Sequence, residues 1–165
     1  MPEPMDELLA AVAARDDERA EAAAQAVGEI GDAALPLLRD LLVSEERDRR
    51  WWAVRTLAAV GTSAAVALLI GALDDADPDV RACAVVALAE RRPAAAIESL
   101  VARLSDPSAY VARLAADGLA QFGQPAAADL IAALETGDVA ARAGAARALS
   151  VIQPEEAIPA LFAAL

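Results

Sequence analysis

The chain has 165 residues, 58% hydrophobic but only 3% aromatic, and a formal charge of −12, because 26 acids outweigh 14 basic residues that are all arginine. Alanine dominates, which favours helix because its side chain loses no entropy there, and the scarcity of β-branched and aromatic residues argues against a sheet. An acidic surface repels phosphate backbones and anionic membranes, and the absence of histidine excludes Ser-His-Asp and Cys-His chemistry and imidazole metal sites.

Met1 to Arg15 is acidic and lacks the basic start and cleavage pattern of a secretory signal. Within it, Met5 to Val12 reads as a second helix standing alone, since Leu8 and Val12 align with Leu38 and Leu42. Residues 1–12 are therefore expected to form a half-repeat whose acids make a solvated cap. From there one period governs the sequence. Val27, Leu57, Leu88, Leu119 and Leu149 stand 30, 31, 31 and 30 residues apart; Leu42, Leu73, Leu104, Leu134 and Leu165 stand 31, 31, 30 and 31 apart. The two ladders divide the chain into repeats 13–42, 43–73, 74–104, 105–134 and 135–165, each a helix, a tight turn and a second helix.

The repeats carry their own punctuation. In 13–42, Asp16-Asp17-Glu18 stands where a helix starts and the macrodipole favours carboxylates, and Gly31 stands where that helix ends. The second helix of this repeat has Arg39 interrupting its apolar stripe. In 43–73, Trp52 falls at a core position equivalent to Cys83 and Leu114, whereas Trp51 is equivalent to Ala82 and Arg113 and should look outward. Trp51 beside Arg49, Arg50 and Arg55 reads either as a surface anchor for a partner or as a ring laid flat over a neighbouring helix. Gly61 ends this helix, and Val66, Leu69, Ile70 and Leu73 form the i, i+3, i+4, i+7 stripe of the next.

In 74–104, Asp77-Pro78 offers an N-cap followed by a proline at the first helical position, and Asp106-Pro107 offers the same to the following repeat. The clustered Asp74, Asp75, Asp77 and Asp79 lack the spacing, glycine and closing Glu of an EF-hand. Pro93, Pro125 and Pro154 stop the first helices of the last three repeats, with Gly123 marking one of these ends. Gly118, Gly144 and neighbouring alanines let adjacent first helices approach closely. The second-helix stripe recurs as Ile97, Leu100, Val101, Leu104, as Ala127, Leu130, Ile131, Leu134, and as Ile158, Leu161, Phe162, Leu165. The chain is expected to be all-α, a right-handed α-solenoid of about five two-helix repeats.

Asp77-Pro-Asp-Val-Arg81-Ala-Cys-Ala-Val-Val-Ala-Leu88 resembles the first helix, and Gly61-Thr-Ser-Ala-Ala-Val-Ala-Leu-Leu-Ile-Gly-Ala-Leu73 the second, of the short HEAT-like repeats of phycobilisome lyase subunits. The resemblance covers nearly the whole chain. Arg49 replaces the usual valine, Arg91-Arg92 the usual Ile-Gly, and Ala112 the family arginine. It implies a protein-binding scaffold without catalysis or cofactor, or alternatively a lyase or chaperone-like subunit for a tetrapyrrole-bearing protein. A DNA-repair HEAT protein would need a basic face, which this composition does not offer. The pairs Asp77/Arg81, Asp138/Arg142 and Glu46/Arg50, at i, i+4, are expected to contribute to ladders between repeats.

In such solenoids the outward residues of the second helices line a concave face, which is expected to hold the partner. Here these are Pro36, Leu37 and Asp40; Ala67, Leu68 and Gly71; Glu98, Ser99 and Ala102; Ala128, Asp129 and Ala132; and Pro159, Ala160 and Ala163. The expected partner is a protein or peptide, basic by charge complementarity, and neither nucleic acid nor membrane. The lone Cys83 reads as a buried inert thiol, consistent with a cytoplasmic location. Leu165 closes the last stripe without a polar terminal helix, so either the chain continues or its last helix packs on another copy.

Overall fold

The computed structural model describes residues 3–154 and Ala157, and its regular structure is helical throughout these residues. The α-helices are α1 (Pro4–Ala14), α2 (Asp17–Ile30), α3 (Leu35–Leu42), α4 (Arg47–Val60), α5 (Ser63–Ala72), α6 (Pro78–Arg91), α7 (Ile97–Ala102), α8 (Ala109–Phe122), α9 (Ala127–Thr136) and α10 (Val139–Ile152). Each first helix, α2, α4, α6, α8 and α10, has 14 residues. The second helices are shorter, and several are entered or left through a 3-10 turn. Ile158, Leu161, Phe162 and Leu165 of the last stripe, and Pro159, Ala160 and Ala163, lie outside the described residues.

The chain forms two compact units, Met1–Ala87 and Leu88–Leu165. In the first, α1 packs on α2, α2 on α4, and α4 on both α3 and α5. In the second, α8 lies beside α10, α7 beside α9, and α9 against α10. Like therefore packs beside like, the layering of an α-solenoid. The leucine ladder is the core: Val27, Leu57, Leu88, Leu119 and Leu149 are all at 0% exposure. Truncating any of the four leucines to alanine would cost about 2–5 kcal/mol.

Small residues set the spacing. A Cβ added at Gly118 would stand 2.9 Å from that of Ala89, and one at Gly144 the same distance from Leu104 Cδ2. Neither site has room for a methyl group without a shift of its neighbour.

The second ladder holds at Leu73, Leu104 and Leu134, which are buried, but not at Leu42, which is half-buried. Helix α3 is turned so that Leu41 takes the buried place, and this turn carries Arg39 into solvent, where its charge costs nothing. Helix α1 repeats the arrangement, with Leu8 and Ala11 buried and Val12 half-buried. Three further expectations are corrected. Helix α8 starts at Ala109, not Pro107, because the Asp106 carboxylate accepts the Ser108 N–H at 2.8 Å and closes a turn ahead of the helix. Ala82 is buried, so the place it shares with Trp51 and Arg113 is not uniformly outward. Cys83 is half-buried.

A third ladder emerges from the backbone. Every first helix ends on a residue with positive φ: Gly31, Gly61, Arg92, Gly123 and Gln153, at +67°, +65°, +51°, +66° and +53°. The N–H groups of Gly61, Arg92 and Gln153 each reach back to the carbonyl of the ladder leucine four residues earlier. An L side chain in this region costs roughly 1–2 kcal/mol, partly offset because glycine loses more freedom on folding. Arg92→Gly and Gln153→Gly are each expected to stabilise the protein by about 0.5–1 kcal/mol, measured as a higher urea midpoint. At the start of α10 the Asp138 carboxylate accepts the Ala141 N–H at 2.8 Å. That bond first, and the Ser105 hydroxyl next, hold its pKa below the ordinary 3.8. The cap's contribution is complete above that value and is lost as pH falls through the lower folded one. Asp138→Ala should therefore lower the urea midpoint at neutral pH, by a margin that shrinks on acidification.

Candidate binding surfaces

The second helices expose one face in every described layer. In the first unit, α3 presents Pro36 and Asp40 exposed and Leu37 half-buried, and α5 presents Ala67 and Gly71 exposed with Leu68 half-buried. In the second unit, α7 presents Glu98 and Ala102 with Ser99 half-buried, and α9 presents Ala128, Asp129 and Ala132. The opposite side of each helix carries the buried residues, such as Leu38, Leu69, Leu100 and Leu130. Amphipathic spacing alone places these side chains outward. Arg39 joins the α3 face beside Asp40 and leaves it with both signs of charge.

The Trp51, Arg50 and Arg55 cluster is mostly committed to the fold. Trp52 is buried, Trp51 is half-buried, and the rings meet edge to face with centroids 5.0 Å apart. Arg50 donates from Nε and Nη2 to Asp75 at 2.8 and 3.1 Å, and from Nη1 to the Ser44 carbonyl at 2.9 Å. Only 14% of its side chain is exposed, and the bidentate bond to Asp75 raises its pKa above the ordinary value. Arg55 forms a second fork with Glu21, at 3.1 and 2.6 Å. An open cleft beside Trp52 is lined by Val12, Arg15, Asp17, Arg47 and Asp48.

These pairs revise the expected i, i+4 contacts. Arg50 binds Asp75, 25 residues on, while Glu46 pairs with Arg49 at 3.0 Å. Asp138 is spent on its helix cap, and Asp77 on the Asp79 N–H at 2.8 Å. Arg81 donates to the Asp75 and Ala76 carbonyls at 2.8 and 3.2 Å. The long-range pairs instead join successive repeats: Arg55 to Glu21, Arg47 to Asp79 at 3.3 Å, and Arg147 to Asp117 at 2.7 Å. A sequence signal for the Arg50–Asp75 pair existed. Seven residues before the ladder position stand Ala20, Arg50, Arg81 and Ala112, and thirteen before the next one stand Ser44, Asp75, Asp106 and Thr136. At these four places arginine goes with aspartate, and alanine with serine or threonine.

The acid clusters are likewise structural: Asp16 caps α2 through the Arg19 N–H, and Asp75 closes a turn on the Asp77 N–H. Among the described residues no group of three or more acids and cysteines is placed to hold a metal ion, and no helix is long and apolar enough to cross a membrane.

Paired helices recurring every 30 or 31 residues define an α-solenoid repeat protein. The chain belongs to the HEAT repeat family, whose model matches residues 5–89, 41–115 and 97–165. Its structure is similar to that of the complex of CpcE and CpcF of phycocyanin lyase from Nostoc sp. PCC7120, at 26% identity over 87% of this chain and 95% of that one, with a TM-score of 0.63. It is also similar to an engineered protein at 26% identity, covering 98% and 85% of the two chains with a TM-score of 0.55. A designed armadillo repeat protein, 21% identical over 98% and 87% with a TM-score of 0.52, shares the fold. No curated protein matches the chain.

The two tryptophans differ in exposure, and fluorescence reads the difference. In Trp51→Phe the remaining emission, from Trp52, is expected to be blue-shifted and resistant to acrylamide quenching. The emission removed should be the redder, quenchable component.

Proposed function

We propose that the protein is a non-catalytic scaffold that holds a protein or peptide segment against the outward faces of its second helices. One observation carries this reading: in each described layer that face is built from small or mildly apolar side chains with few charges, repeated in register. Pro36, Leu37 and Asp40 on α3 lie beside Ala67, Leu68 and Gly71 on α5, and in the other unit Glu98, Ser99 and Ala102 lie beside Ala128, Asp129 and Ala132. Such a surface suits a helix or an extended segment; its named positions carry no aromatic group, and the cation Arg39 stands beside Asp40, a poor clamp for nucleic acid. The net charge of −12 favours a basic partner and accelerates its encounter. Trp51, half-buried on α4, would add a peripheral anchor.

A second reading, a subunit that assists a phycocyanin-type lyase, is supported by the likeness to the CpcE and CpcF complex. It predicts a change in bilin absorbance on mixing, which the scaffold reading does not.

The scaffold reading is tested by recovering interaction partners from source lysate and measuring one of them against variants. Leu68→Asp in the first unit and Ala102→Arg in the second each add a charge to the face without touching the core. Together they are expected to weaken a true partner by about 100-fold, roughly two disrupted contacts. Unchanged affinity in the double variant would refute the assignment.

A further inference from the structure

We draw no further inference here: the strongest candidate, the open cleft between the end of α1 and the starts of α2 and α4, sets Arg15 and Arg47 against Asp17 and Asp48, with Arg47 already bonded to Asp48 at 2.7 Å, and nothing in the structure points to the ligand that would fill it.

Discussion

Close approach of neighbouring first helices is the constraint on which the remaining structure rests. Where Gly28 of α2 meets Ala59 of α4 and Gly118 of α8 meets Ala89 of α6, a single added carbon would collide. The closeness lets each ladder leucine be sealed from solvent by its own layer and the adjoining one, so that Val27, Leu57, Leu88, Leu119 and Leu149 are fully buried despite a chain almost without aromatic residues. An alanine-rich core gains little per side chain from burial and relies on many short contacts. That is the physical reason the composition is so uniform.

With the core apolar and small, charge takes a different task. Exposed arginine–carboxylate pairs add little free energy, yet those between repeats fix which residues of one layer meet which of the next. Arg50 with Asp75 is the exception in strength, because the pair is mostly shielded from solvent and forked. Committing arginines to these pairs leaves the second-helix faces with small side chains and few charges. The charge pairs between repeats and the faces of small side chains are thus separated onto different helices.

Much of this was legible in advance because helical periodicity is local. The 30 to 31-residue ladders, the burial of Leu57 or Leu119, and the outward placement of Asp40, Ala67, Ala102 and Ala132 all follow from which residues share one side of a helix. Gly31, Gly61 and Gly123 were likewise readable as helix ends, since left-handed backbone favours glycine. Gln153 at the same place was not, because its residue type argues against that conformation, and Arg92 was marked only by the resemblance, which has glycine there. The turn of α3 that buries Leu41 and frees Arg39 was hidden for a related reason: a leucine run at Leu41-Leu42 satisfies either rotation.

The amino-acid order by itself determined the repeat, its length, its helix pairs and their buried edges, because each depends on residues within a turn or two of one another. Tertiary structure decided the partners of the charges. Arg50 and Glu46 are neighbours along one helix, but Asp75, brought to the start of α4 by a whole layer of intervening chain, offers two oxygens in the right plane and less water. Local spacing cannot weigh that competition, since what settles it is desolvation and geometry between segments that meet only once the layers have stacked.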